Sequence, residues 1–307
     1  MNDYLLLLLG VALAGGGGEL FVRGTVGIAS ASRISPGIIA ATIAAFATSS
    51  PELTVAINSA LNGTPRIALG DALGSNVVNV ALILAVALLI MPIRVPRDSI
   101  RRDFPAALIV PIIIAALLAD GELSRLDGLL LLALFAGWFI AVFNEARRQR
   151  SAAAAVLGEH KPLHAVLAGV AGLGLLILAG NLIVASATSI GEAHGIDPFL
   201  IGATVVALGT SVPELATAII SGLKGHEEVG LGTILGSNIF NGLLVVGVAA
   251  SLSPISIAVS EVAPALLLGL ASVALTYPPA SGVIGRWRGL LLLGVYAAYI
   301  VVISQWR

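Results

Sequence analysis

Two short stretches carry the residues that could do chemistry. FATSSPEL, residues 46–53, and LGTSVPEL, residues 208–215, each place a proline and a glutamate inside otherwise apolar sequence. Proline has no N–H to donate and its ring clashes with the carbonyl four residues back, so Pro51 and Pro213 should free the carbonyls of Ala47 and Gly209. Around them stand the hydroxyls of Thr48, Ser49, Thr210 and Ser211 and the carboxylates of Glu52 and Glu214. No basic residue lies within either segment, so an internal ion pair is not on offer. An all-oxygen cluster with two negative charges suits a hard cation: Ca2+ takes six to eight oxygens at roughly 2.3–2.6 Å, and Na+ also prefers oxygen. A second element follows each stretch, GDALGSNVVN at 70–79 and GTILGSNIFN at 232–241. Ser75 with Asn79, and Ser237 with Asn241, are four residues apart and share a helix face, where they could line the same site. Gly70, Gly74, Gly232 and Gly236 permit bending and close backbone approach.

The elements that must hold these residues are membrane helices. Hydrophobic residues make up 58% of the 307-residue chain, charged residues 11%, and the mean hydropathy is +1.03, which excludes an ordinary water-soluble domain. Apolar runs long enough to cross a bilayer recur at about 4–30, 37–61, 67–91, 104–119, 127–146, 163–190, 198–222, 229–252, 261–277 and 287–304. Continuous Leu- and Ala-rich runs argue for helices rather than a barrel, whose strands would alternate with a period of two. The expected fold is therefore an all-α polytopic membrane protein of ten transmembrane helices. Residues 1–14 resemble a leader, but Asp3 and the apolar continuation beyond them favour a retained first helix. There is no cysteine, so disulfide and thiol chemistry are excluded.

Sliding the chain by 162 residues aligns 38–80 with 200–242 without a gap, and 21 of the 43 positions are identical. The identities include polar residues that a generic helix pair would not preserve: Thr42 with Thr204, Thr48 with Thr210, Glu52 with Glu214, and Gly74-Ser75-Asn76 with Gly236-Ser237-Asn238. Each copy fills spans two and three of a five-span unit, and an odd number of crossings turns the second unit upside down. The expected organisation is a first repeat over 1–150, a cytoplasmic linker over 151–162 and an inverted second repeat over 163–307. With the N-terminus outside, thirteen of the sixteen basic residues fall on the cytoplasmic side and only Arg66, Arg125 and Arg307 outside.

ATSSPEL with GSNVVN, and GTSVPEL with GSNIFN, resemble the two α-repeats of the sodium/calcium exchanger family, and the likeness extends over nearly the whole chain. The resemblance implies a secondary antiporter that exchanges Na+ for Ca2+, with Glu52 and Glu214 binding the two ions alternately. It implies that the carbonyls of Thr48 and Thr210 join the Ca2+ shell, and that Ser49, Ser211, Ser75 and Ser237, with the carbonyls of Ala45 and Ala207, complete flanking Na+ sites. Asn79 and Asn241 would line the centre. Relatives that co-transport K+ carry Asp at the position of Asn241, so Asn there implies K+ independence. One departure is Ala47, where the second copy has the family's usual glycine, Gly209.

The resulting expectation is alternating access, with spans one and six moving against a core of spans two, three, seven and eight, and with protons competing for the same carboxylates. The substrates are Na+ and Ca2+ in the lipid bilayer of a prokaryotic cell membrane; no cofactor, nucleic acid or obligate protein partner is expected. An H+/Ca2+ antiporter, or one for another divalent cation, would use the same glutamates, and a passive channel is a further alternative. Enzymatic function is not expected: there is no His-Glu-x-x-His, ALGD at 68–71 lacks the first glycine of an aspartyl protease pattern, and no His or Lys lies in the motif helices. Among weaker signals, Glu19 and Arg23 read as a local ion pair and Asp71 as a helix N-terminal cap. His160 and His164 sit in linker sequence, and Trp138, Trp287, Trp306, Tyr296 and Tyr299 read as interfacial or lipid-facing.

Overall fold

A computed structural model of the chain describes residues 3–63, 65–153, 162–193 and 211–305, and every structural statement below concerns these residues. The helices, in chain order, are α1 Asp3–Ser32, α2 Pro36–Thr48, α3 Ser50–Leu61, α4 Pro65–Ile90, α5 Asp103–Leu117, α6 Arg125–Ala153, α7 Pro162–Ala193, α8 Val212–Leu223, α9 Glu227–Leu252, α10 Val259–Thr276 and α11 Trp287–Gln305. Among the described residues eight helices are long and apolar enough to cross a membrane, α2 and α3 together form a ninth, broken span, and α8 is a shorter apolar helix. Helix satisfies every backbone N–H and C=O within its own segment, which is why apolar runs in lipid adopt it.

Two short antiparallel clasps tie the loops together. Strand β1, Ile93–Arg94, pairs with β4, Val283–Ile284, and β2, Glu122–Leu123, pairs with β3, Ile255–Ser256. The first clasp places the α4–α5 and α10–α11 loops on one face of the membrane; the second places the α5–α6 and α9–α10 loops on the other. Adding 162 to Ile93 gives Ile255, and adding it to Glu122 gives Ile284. Strands that are repeat partners thus lie on opposite faces, the arrangement of two inverted five-helix units. An ion pair between Arg66 and Glu261 joins the first turns of α4 and α10 on the β2–β3 face.

The hairpins α3–α4 and α8–α9 occupy the centre, and the other helices pack around them. The aromatic part of the core gathers on Phe240 of α9, which meets Phe135 at 4.9 Å and Trp138 at 6.0 Å between ring centroids. This corrects the lipid-facing reading of Trp138, which is 9% exposed; Tyr299 is also buried, at the side of Val77 and Ala81, whereas Trp287 is exposed as expected. Trp306 and His160 lie outside the described residues. Helix α6 runs on through Asn144-Glu145-Ala146-Arg147-Arg148, beyond the apolar run expected to end near 146, and reaches Ala153, past the expected start of the linker at 151. Its 29 residues span about 44 Å, longer than the ~30 Å hydrocarbon core, so its charged end projects from the membrane. His226 precedes α9, and Glu227 and Glu228 stand in its first turn.

Candidate ion-binding site

In both motif segments the serine before the proline has the same backbone conformation and precedes a helix. Ser49 has φ −86° and ψ 7°, its repeat partner Ser211 has φ −89° and ψ 9°, and at Ser49 the chain bends by 45° between α2 and α3. Pro51 and Pro213 sit in the first turn of the half-helix that follows, where a missing N–H costs no intrahelical bond. They start helices rather than interrupt them, which refines the reading from sequence. The Ala47 carbonyl is not left open either: the Ser50 hydroxyl donates to it at 2.6 Å. Gly209 lies outside the described residues.

The break at residue 49 puts Glu52 in the first turn of α3, and the start of α8 after Ser211 puts Glu214 in its first turn. The positive ends of two half-helices therefore face the two carboxylates, one source of stabilisation for charge at this depth. The need is real, since a charged side chain at a helix centre costs roughly 2.5–3.5 kcal/mol on insertion scales. Each glutamate is 1% exposed, and the two carboxylates lie near enough for their charges to interact. The charge of Asp71 also reaches Glu52. Asp71 occupies the second turn of α4, not its start, so it is no N-terminal cap.

A hydrogen-bond chain crosses between the repeats. Thr48 Oγ1 lies 3.3 Å from Ser237 Oγ, and Ser237 Oγ donates to Glu214 Oε1 at 3.1 Å. The Ala45 carbonyl accepts from Ser49 N at 2.9 Å and from Thr48 Oγ1 at 3.2 Å. Ser49 Oγ, Ser211 Oγ, Ser75 Oγ, Glu52 Oε2 and Glu214 Oε2 are buried and have no hydrogen-bond partner among the described residues. Buried polar atoms are ordinarily paired, so a cluster of unpaired oxygens marks a place that a ligand completes. Among the described residues no group of three or more His, Asp or Glu converges, so most of the donors there are neutral oxygens. Thr210 and Ala207 lie outside the described residues.

Helices α4 and α9 each contain a π-helical segment, Val78–Leu84 and Phe240–Val245, again related by the 162-residue shift. These wide turns carry Asn79 and Asn241. The Asn79 segment packs against α8, which bears Glu214, and the Asn241 segment packs against α3, which bears Glu52. Asn79 Oδ1 and both amide atoms of Asn241 have no partner among the described residues. Two residues that the sequence reading did not assign to the site also meet here. Asn76 Nδ2 donates to the Asn238 carbonyl and Asn238 Nδ2 donates to the Asn76 carbonyl, each at 3.1 Å. Their identity in the two copies was the available signal. Gly232 and Gly236 let α9 approach α2 closely; a Cβ on Gly236 would lie 2.5 Å from the Ala41 carbonyl oxygen.

Outside this core, α1 and α7 pack along one another through glycines. A Cβ on Gly24 would lie 2.4 Å from the Gly169 backbone, and one on Gly172 would lie 2.4 Å from Phe21 N. Between the pair and α2 is an apolar cavity of about 290 Å³, bounded by Phe21, Ile28, Ile39, Ile43 and Leu173 among others. Glu19 on α1 pairs with Arg23, as expected, and also with Lys224, the residue after α8.

Two inverted helical repeats that close broken, oxygen-rich helices around buried carboxylates define a secondary ion transporter rather than an enzyme. The "Sodium/calcium exchanger protein" family profile matches residues 3–144 and 164–305, and the chain belongs to that family. It is 36% identical to a putative antiporter, CaxA, of Alkalimonas amylolytica, with 81% of each chain covered. It is 25% identical to the sodium/calcium exchanger MaX1 of Methanosarcina acetivorans over 98% of each chain. Among solved structures, the sodium-calcium exchanger NCX_Mj, soaked with Na+ and Sr2+, superposes with a TM-score of 0.84 at 27% identity, covering 99% of this chain and 98% of that one.

Proposed function

We propose that the chain exchanges Na+ for Ca2+ across a prokaryotic cell membrane by alternating access, without K+, and with its N-terminus outside. The observation that carries this reading is the pair of buried glutamates, one from each inverted repeat, set among unpaired hydroxyl and carboxylate oxygens. Glu52 and Glu214 hold Ca2+ or Na+ in alternation. Thr48 and Thr210 contribute carbonyls to Ca2+; Ser49, Ser211, Ser75 and Ser237, with the carbonyls of Ala45 and Ala207, hold flanking Na+; Asn79 and Asn241 line the centre. A cluster with two negative charges does not hold Ca2+ and a full set of Na+ together, so each ion displaces the other. The family match in two segments supports repeats over 1–150 and 163–307 joined by a linker, and Asn241 supports K+ independence.

Movement of α1 and α7 against the core opens the site to one side at a time. The glycine contacts that join the two helices to each other, and the cavity between them and α2, support their moving as one body.

Isotopic Ca2+ uptake into proteoliposomes tests the coupling. Liposomes loaded with Na+ accumulate Ca2+ from Na+-free medium, K+ on either side leaves the rate unchanged, and acid slows uptake at limiting Ca2+ because protons occupy the same carboxylates. Uptake that follows an imposed pH gradient and ignores Na+ would replace this reading with H+/Ca2+ exchange.

A further inference from the structure

The carboxamides of Asn76 and Asn238 form a clasp where the two repeats meet. They are repeat partners, 162 residues apart, and each donates to the backbone carbonyl of the other. Each lies two residues before a π-helical segment, where the backbone register widens from four residues to five. The clasp therefore joins α4 to α9 immediately before the turns that carry Asn79 and Asn241.

The hydrogen bonds leave no freedom in how these amides are turned. A backbone carbonyl can only accept, so the Asn238 atom at the Asn76 carbonyl is Nδ2. The remaining Asn238 atom is Oδ1, which can only accept, and it lies 3.1 Å from an amide atom of Asn79. That atom must then be Nδ2 of Asn79. Asn79 Oδ1, buried and unpaired among the described residues, is what remains to be presented to a ligand. The sequence of constraints runs from a fixed backbone group through Asn238 to the one amide oxygen that a cation can use. The equivalent contact in the other half, from Asn241 to Asn76 Oδ1, is not made: both amide atoms of Asn241 and Asn76 Oδ1 lack partners among the described residues.

We infer that Asn238 is a positioning residue for cation binding, which holds the Asn79 carboxamide with its oxygen, rather than its NH2, toward the cation. Asn76 supports it by fixing which way Asn238 is turned. The inference rests on the reading of the site as a cation site. An amide free to rotate offers NH2 to the ion in one of its two orientations, and NH2 repels a cation; a fixed amide offers oxygen always. Asn238 itself touches no ion in this scheme, and its effect passes wholly through Asn79.

That dependence is measurable as a double-mutant cycle on the purified full-length chain, with isotopic Ca2+ binding at equilibrium as the readout and thermal unfolding alongside it. Asn238→Ala should weaken Ca2+ binding by roughly three- to tenfold, the scale of one hydrogen bond. In an Asn79→Ala background the same change should have no further effect, because the oxygen it positions is gone. Asn238→Ser is too short to keep either contact but leaves a polar group in the buried site, so it serves where the alanine variant does not fold and should give the same coupling. Losses that multiply in the double variant, or an Asn238 variant that binds Ca2+ like the unmodified chain, would overturn the proposal. A merely structural role would lower the unfolding temperature in both backgrounds without this coupling. Failure of the unmodified chain to bind Ca2+ would sink the exchange reading itself.

Discussion

The central hairpins and the α1–α7 pair solve helix contact in opposite ways. In the centre, α4 and α9 meet through directional groups: the Asn76–Asn238 clasp, the Asn79–Asn238 bond, and the Thr48–Ser237–Glu214 chain that reaches α2 and α8. Helices α1 and α7 meet through backbone and small side chains, with Gly24 against Gly169 and Gly172 against Phe21 and Gly17. Hydrogen bonds hold one register, since they weaken steeply with distance and angle. Dispersion between smooth glycine faces changes little along the helix, so neighbouring registers differ by little energy. One region is built to keep atoms in place and the other tolerates displacement, which is the division of labour that exchange by alternating access requires.

The largest effect expected from this contrast follows removal of a central charge. Glu52→Gln or Glu214→Gln keeps the shape of the side chain and removes one unit of charge from a buried site. At 4 Å and an effective dielectric of about 20, a unit charge pair is worth roughly 4 kcal/mol, so Ca2+-dependent Na+ flux should fall by at least about a hundredfold. Thermal unfolding should change little, because Glu52 Oε2 and Glu214 Oε2 make no hydrogen bond among the described residues that glutamine would lose. Flux at the level of the unmodified chain in either variant would remove the central role given to the carboxylates.

How much of this was legible beforehand divides along the same line. The spans, the inverted repeat and the two glutamates announce themselves, because a charge and a proline in lipid are costly enough to be rare. The π-helical turns under Asn79 and Asn241 do not, since a one-residue widening of the hydrogen-bond register leaves no compositional trace. The burial of Trp138 against Phe240 was hidden for a different reason. Lipid tails are as apolar as a protein core, so a membrane helix lacks the polar face that would show which side packs inward. The two-residue clasps β1–β4 and β2–β3 are too short for any pattern, and Asp71 reads as a cap only until the start of α4 is fixed six residues earlier, at Pro65.

A smaller effect tests the α1–α7 contact. Gly172→Ala places a methyl group 2.4 Å from Phe21 N and 2.7 Å from the Gly17 carbonyl oxygen, and neither backbone atom can swing aside as a side chain would. The helices must separate, at a cost of about 1–3 kcal/mol by analogy with overpacked cores. The expected readout is a lower unfolding temperature and slower exchange with unchanged half-saturating Ca2+, since the ion site is elsewhere. A shift in ion affinity with no change in unfolding would mean that this helix pair shapes the site itself.

The smallest effect belongs to the link between the two regions. Glu19 on α1 bonds to Lys224 at the end of α8 and to Arg23 one turn along α1. All three side chains are a third or more exposed or nearly so, and solvent and salt screen exposed ion pairs so that they add little to stability. Glu19→Gln should therefore leave stability and half-saturating Ca2+ as they are. If α1 slides past α8 during exchange, however, the Glu19–Lys224 bond must break in each cycle, and removing it should raise the maximal rate by about two- to threefold. Salt offers an independent check, because ions screen exposed charges over about 8–10 Å at physiological strength. The rate of the unmodified chain should rise with added salt that is not a substrate, and the Glu19→Gln rate should not. Equal salt responses in the two would place the moving boundary somewhere other than between α1 and α8.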